Sequence, residues 1–311
     1  MQLLLATRGL DAEAWCHALQ AALPDARARL WQPGDDGPAD YLLYWKADAA
    51  ALAPRAGLRA IFNLGAGVDA LLRLLAADRG LAGHRVPVLR LEDAGMARQM
   101  REYALYCALR FRRRFHDYEA LAREARWQPL AVEPAEAFPV AVLGAGRLGL
   151  PVAQALAALG HPVRLWRRDV APLPDFATFG ADRLRDCVAG ARLLVNLLPD
   201  TPATAGVLGR AVFDAMAPGG FLVNLARGRH VVDADLLAAL DDGRLARAAL
   251  DVFHDEPLPP AHAFWRHPRI EPTPHVAALT LLDDSVAQIA GHIARDRRGE
   301  PLAGIDLARG Y

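Results

Sequence analysis

The stretch VAVLGAGRLG at residues 140–149 decides how this chain is read. Val140, Ala141, Val142 and Leu143 form a short apolar run suited to a buried strand, and residues 152–159 continue in a helical pattern. Between them Gly144, Gly146 and Gly149 stand at GxGxxG spacing. In such a loop the first glycine permits a tight turn, the second lets the backbone approach a pyrophosphate, and the third lets helix close on strand. The N-terminus of the following helix adds free N–H groups and a positive dipole for the phosphates. Glycine-rich βα turns are common, so the flanking strand and helix patterns carry the dinucleotide reading.

In this fingerprint an acidic residue about 20 positions on suits the ribose of NAD, whereas an arginine accommodates the extra phosphate of NADP. The next strand pattern, 161–166, ends in Trp166, Arg167 and Arg168, with Asp169 following. Guanidinium groups match phosphate geometry, so NADP is the expected cofactor, with NAD the alternative.

Outward from the loop, short apolar runs alternate with helical patterns. Runs at 3–6, 41–45 and 59–64, with a helix over 11–23, make a first series; runs at 140–143, 163–166, 193–197, 221–225 and 248–252 make a second. Such alternation predicts parallel sheets, hence an α/β chain of two units. A single long helix is expected over 96–126, followed by a linker with three prolines at 129–139. Tyr103, Tyr106, Phe111, Phe115 and Tyr118 recur on it at helical spacings, so one face is expected to be buried, against the core or a second copy. The amphipathic stretch 279–295 is expected to cross back to the first unit.

The totals agree with a compact globular protein: 311 residues, 53% hydrophobic and 23% charged. Thirty-six basic residues balance thirty-six acidic ones, which offers no general field for nucleic acid or an anionic membrane. Cys16, Cys107 and Cys187 show neither zinc spacing nor a disulfide framework, and no run is long enough to span a bilayer, so a cytoplasmic protein without a metal is expected. Lys46 is the only lysine, which leaves little room for lysine chemistry.

Three further segments fall where strands of the second series end: NLARG at 224–228, LDVFHDEPL at 250–258 and PTPHVA at 272–277. Open α/β sheets bind ligands at that edge, and each segment brings an ionisable group to it: Arg227, Glu256 and His275. Singly, each has a plainer reading as a surface ion pair, a turn residue or a histidine satisfied by neighbours.

Together with the glycine loop, these segments resemble the D-2-hydroxyacid dehydrogenase family along nearly the whole chain. Within it the likeness is greatest to the branch that reduces glyoxylate and hydroxypyruvate, carried by LGAGVD at 64–69, LEDAGM at 91–96, NLLP at 196–199 and ARGY at 308–311. The resemblance implies a Rossmann cofactor domain, 98–279, inserted in a flavodoxin-like substrate domain, 1–97 plus 280–311, both doubly wound parallel sheets. It implies hydride transfer from NADPH to a small 2-oxo acid. Arg227 would hold the substrate carboxylate and 2-oxo group, His275 would donate the proton, and Glu256 would fix the histidine tautomer.

The implied cofactor contacts are Gly144, Gly146, Arg147, Leu148, Gly149, Trp166, Arg167, Arg168, Leu198, Pro199, Ala226, Arg227, Asp251 and His275. The implied substrate contacts are Trp45, Leu64, Gly65, Ala66, Gly67, Met96, Arg227 and His275, the 65–67 turn offering backbone N–H groups. A homodimer is the family expectation. The alternatives are another dehydrogenase of the family, of lactate or phosphoglycerate type, or a dinucleotide-sensing regulator without turnover.

Overall fold

The computed structural model describes residues 1–77, 86–168 and 173–306; Asp169 and the closing 308–311 motif lie outside them. The chain divides into two compact units, one made of Met1–Gly95 with the chain from Thr280 onward, the other of Met96–Leu279. The first division falls two residues before the expected 97/98 boundary, so Met96 opens the second unit.

In the first unit β1 (Gln2–Thr7), α1 (Ala12–Ala22), β2 (Arg27–Leu30), β3 (Tyr41–Trp45), β4 (Ala60–Asn63), α2 (Asp69–Ala77) and β5 (Val88–Arg90) build a five-stranded sheet of order β2-β1-β3-β4-β5. Every pairing in it is parallel. Strands buried on both faces read as continuous apolar runs, and Leu3, Leu4 and Leu5 of β1 with Tyr41, Leu42 and Leu43 of β3 have almost no exposed surface. Burial of each such side chain contributes about 1.5–3 kcal/mol. Helix α1 begins where Asp11 accepts from the Ala14 amide at 3.0 Å, and it turns Trp15 and Leu19 inward.

The second unit opens with α3 (Met96–Arg112) and α4 (Phe115–Arg123). The single helix expected over 96–126 is therefore two. Arg114 takes a left-handed φ of 59°, and the redirected chain drops the His116 ring against Phe111 and Phe221. The aromatic residues do not share one buried face either: Phe111 stacks on Phe221 at 4.6 Å, while Tyr106 and Phe115 are exposed.

Next come β6 (Val140–Leu143), α5 (Gly149–Ala158), β7 (Val163–Trp166), β8 (Ala177–Phe179), α6 (Leu184–Val188), β9 (Leu193–Asn196), α7 (Arg210–Ala215), β10 (Gly220–Asn224), α8 (Asp233–Asp241), β11 (Leu245–Leu250) and β12 (Ile270–Pro272). They form a seven-stranded parallel sheet of order β12-β11-β10-β9-β6-β7-β8, with an apolar core on each face. Two parallel-sheet α/β units are what the alternation of patterns implied. Short β2, β5 and β8 were not anticipated, and of β12 only its end near 272 was: each has three or four residues, too few to show a period, and each lies at a sheet edge.

The last helix, α9 (Leu282–Arg297), groups with the first unit and packs on α1, with Val286, Ile289 and Ile293 buried. Arg59 and Tyr41 both bind the Asp296 carboxylate and fix its far end. Among the described residues no helix is long and apolar enough to cross a membrane.

Candidate active site

Sheet register makes the site of the second unit. Asn196 pairs with Asn224, Asn224 with Leu250, and Leu250 with Pro272, so β9, β10, β11 and β12 end on one line. The chain leaving that line carries Leu198, Arg227, Glu256 and His275 in turn.

The β12 exit presents His275. Its Nδ1 donates to Glu256 Oε2 at 2.7 Å, and Glu256 Oε1 accepts the Phe253 amide at 3.1 Å. His275 has a left-handed φ of 56°, uncommon for a residue with a side chain, and the surrounding bonds hold it there. Asp251, 1% exposed, accepts Thr273 Oγ1 at 2.6 Å and the Val276 and Ala277 amides at 2.8 Å each. Tyr103 of α3 meets Thr273 Oγ1 at 2.7 Å from the other side. Asp251, expected among the cofactor contacts, thus has its carboxylate engaged by three donors of the His275 loop.

Burial alone would raise the Glu256 pKa. The hydrogen bond and charge of His275, the Phe253 amide and the nearby Arg227 charge overcome burial and leave the carboxyl below its ordinary range. A depressed carboxylate contributes stability that is present above its unfolded pKa and is lost as pH falls through the folded value. Glu256→Gln is therefore expected to unfold at lower temperature than the parent protein at neutral pH. The gap should close on acidification below the ordinary carboxylate range, as followed by thermal melts across pH.

Arg227 follows β10, and its Nη1 donates to its neighbour Ala226 O at 2.7 Å. Gly228 sets its depth: an added Cβ would lie 1.9 Å from the Phe253 carbonyl carbon, so the arginine loop rests directly on the backbone leading to Glu256. Gly228→Ala must push those two chains apart, and overpacking of this kind costs about 1–3 kcal/mol. We expect a lowered melting temperature and a loss of turnover larger than the loss of folded protein, measured side by side.

One buried network, to which the sequence had assigned no role, ties two of these loops together. Asn196 Nδ2 donates to Asn224 Oδ1 at 3.0 Å and meets His230 Nδ1 at 2.9 Å, while its Oδ1 accepts the Leu198 amide. Asn224 accepts the Ala226 amide and donates to Arg227 O at 2.9 Å; His230 Nε2 reaches Pro199 O at 3.2 Å. The His230 ring has no exposed surface, and this pattern assigns it the neutral form with the proton on Nε2. Asparagine at the next-to-last place of two apolar runs, 193–197 and 221–225, was the visible signal.

The glycine loop fits a dinucleotide. Gly144 has φ 94°, and its amide donates to Trp166 O at 2.9 Å. A Cβ on Gly149 would stand 1.7 Å from Gly144 O, which is the close helix approach the motif requires, whereas Gly146 faces open space. No side chain caps the α5 N-terminus, which suits a phosphate there, while the Leu150 amide already donates to Gly146 O at 3.0 Å. Arg147 and Arg168 are exposed beside the loop and after β7, and Arg167 is half-buried, its amide donating to Phe179 O. Leu198 and Ala226 line the strand-end edge as largely buried residues.

In the first unit the turn after β4 brings Gly65, Ala66 and Gly67 together, with Asn63 Nδ2 donating to both Gly65 O and Gly67 O. Trp45 packs against it: a Cβ on Gly65 would be 2.3 Å from the indole ring. Leu64 is fully buried beneath the turn, and Met96, opening α3, is also buried.

A Rossmann-type unit whose glycine loop fits a dinucleotide, with ionisable groups at the same strand edge, defines an NAD(P)-dependent oxidoreductase. The family described as D-isomer specific 2-hydroxyacid dehydrogenase, NAD binding domain, matches residues 105–277. Glyoxylate/hydroxypyruvate reductase A of Serratia proteamaculans is 49% identical over 303 residues, 97% of either chain. The protein so named from Salmonella heidelberg is 45% identical over the full length of both. An NADPH-dependent glyoxylate/hydroxypyruvate reductase of Sinorhizobium meliloti, solved with NADP and sulfate, superposes with TM-score 0.92 at 32% identity and covers 100% of this chain and 99% of its own. A D-isomer specific 2-hydroxyacid dehydrogenase of Xanthobacter autotrophicus, solved with NADPH and MES, gives TM-score 0.91 at 36% identity with the same coverage. The chain belongs to the D-isomer specific 2-hydroxyacid dehydrogenase family.

Proposed function

We propose that this enzyme uses NADPH to reduce small 2-oxo acids, glyoxylate and hydroxypyruvate foremost, to 2-hydroxy acids. The single observation that carries the mechanism is the 2.7 Å bond from His275 Nδ1 to Glu256. With Nδ1 committed to a carboxylate held in its ionised form, the proton for transfer resides on Nε2. When bound, the reduced nicotinamide supplies the hydride to the 2-oxo carbon. His275 Nε2 gives its proton to the carbonyl oxygen as that oxygen gains charge. Arg227 presents two donors to the substrate carboxylate and 2-oxo group and stabilises the same developing charge. The 65–67 turn offers its amides to the carboxylate, with Trp45 and Met96 toward the substrate's side group.

The Rossmann unit would be the cofactor domain and the five-stranded unit the substrate domain. Gly146 and the uncapped α5 amides take the pyrophosphate, Arg167 and Arg168 take the 2′-phosphate, and Leu198, Pro199 and Ala226 flank the nicotinamide end. Asp251 acts through the His275 loop. Three unpaired thiols suit a reducing cytoplasm, and exposed Tyr106, Phe115 and Trp127 around α3 and α4 suit a homodimer.

The test is oxidation of NADPH by purified protein on addition of glyoxylate or hydroxypyruvate, with lactate- and phosphoglycerate-type 2-oxo acids alongside. Tight NADPH binding without turnover on any of them would overturn the reading in favour of a dinucleotide-sensing regulator. Replacing Arg167 and Arg168 by serine is expected to cut the preference for NADPH over NADH at least tenfold, read as the ratio of kcat/KM values. An unchanged ratio would remove these arginines from the phosphate contact.

A further inference from the structure

The connection from β11 to β12, residues 251–269, carries Glu256 and contains one short 3-10 turn, Ala263–Trp265. The shape of so long a connection rests on side-chain ties rather than on a ladder of backbone bonds. Some of those ties are internal: the His262 amide donates to Pro259 O at 2.9 Å, and the Phe253 and Phe264 rings pack 6.4 Å apart. Two others leave the loop, and both reach Asp233, the first residue of α8.

His254 and His262 stand on either side of Glu256 in the sequence. His254 Nε2 lies 3.4 Å from Asp233 Oδ1, and His262 Nε2 lies 3.6 Å from Oδ2. The other bonds of each ring agree on where its proton sits. His254 Nε2 is 2.9 Å from Val231 O, a pure acceptor, and His262 Nδ1 accepts the Phe264 amide at 3.3 Å. Both rings therefore turn an Nε2–H toward the same carboxylate. Burial raises the Asp233 carboxyl above its ordinary range, and the charges of the two histidines pull it back only in part. A half-buried carboxylate in such a place depends on its donors.

The segment on the Asp233 side is stiff. It leaves Arg227 through one 3-10 turn, with the Val231 amide on Gly228 O at 2.9 Å. His230 O and the Val232 amide then bond Leu208 at 2.8 and 3.0 Å. Gly228 already rests on the Phe253 and His254 backbone, so the Arg227 segment and the Glu256 loop touch at Gly228, at Val231 O and at Asp233.

We propose that Asp233 is a positioning residue of the active site, whose carboxylate clasps the Glu256 loop through His254 and His262 and so fixes how the loop stands against Arg227. The proposal rests on the roles given above to Arg227 and Glu256. Pairs as exposed as these add little to overall stability, so the effect belongs to the placing of charge rather than to folding.

Two measurements on the full chain test it. In steady-state kinetics with glyoxylate, Asp233→Ala is expected to lower kcat about tenfold, within the roughly 100-fold that misplacement by about 1 Å can cost. Direct NADPH titration should be unchanged. His254→Ala should act in the same direction, and the double variant should be no worse than Asp233→Ala, because both changes remove one contact. His254→Gln, which keeps an N–H donor near the place of Nε2, should recover most of kcat. The second measurement needs no turnover: the Glu256 carboxyl, followed by carbon-13 NMR of glutamate-labelled protein, should protonate at higher pH in Asp233→Ala and His254→Ala, since the Arg227 charge helps to hold it down. A parent protein that reduces no 2-oxo acid would remove the reaction and leave the Glu256 titration to decide. A Glu256 titration identical to the parent's in both alanine variants overturns the clasp, whatever the turnover.

Discussion

His275→Asn is expected to lower kcat by about 100- to 10,000-fold, the usual contribution of a positioned general acid, with the protein still folded and still binding cofactor. Asparagine is the informative replacement because residue 275 sits at φ 56°, and asparagine tolerates the left-handed region better than most side chains. The backbone loop braced by Asp251 and Thr273 then stays in place, and only the proton source and the Glu256 partner bond are removed. Such a loss corresponds to about 3–5 kcal/mol of transition-state stabilisation. The check is steady-state kinetics with glyoxylate together with direct titration of NADPH. A variant that keeps more than a tenth of the parent kcat would show that the proton comes from elsewhere.

Arg227→Gln is expected to reduce kcat/KM by about 1,000-fold or more, divided between a raised KM and a lowered kcat. The KM part reports the substrate carboxylate, held equally in ground and transition states. The kcat part reports charge on the carbonyl oxygen, which only the transition state develops. Arg227→Lys separates charge from geometry: an ammonium keeps the positive charge but loses the two-pronged fork, so it should recover part of kcat and little of KM. Arg227 also helps to hold the Glu256 carboxyl below its ordinary range, and the glutamine variant should therefore let that carboxyl protonate at higher pH than in the parent enzyme. A glutamine variant with unaltered KM would show that the carboxylate is bound by other groups.

The three ionisable residues of the strand edge differ from the supporting ones in how they could be found. Arg227, Glu256 and His275 each stand in a short motif after an apolar run, so local order was enough to nominate them. Asn196, Asn224 and His230 leave only a weak local trace. Their joint meaning appears when β9 and β10 are seen side by side, because the bonds that link them span 28 and 34 positions of chain. The same holds for Tyr103, which reaches Thr273 across 170 positions. The long helix expected through 96–126 failed for a related reason: nothing local announced the turn at Arg114, whose cause is the fit of the His116 ring against Phe111 and Phe221.

Residue order alone was sufficient for the α/β class, for two units in one chain and for the glycine loop, since strand runs, helical spacing and GxGxxG are short-range patterns in which each residue acts on near neighbours. Membership of the dehydrogenase family was legible as a resemblance, carried by the glycine loop and the segments at 224–228, 250–258 and 272–277. Distances were not. That His275 faces Glu256 at 2.7 Å, that Asp251 braces the histidine loop rather than standing open, and that Gly228 seats the arginine on the Phe253 backbone were decided by the parallel register of β9 to β12. Register aligns strand ends that are tens of residues apart, and no local pattern contains that information.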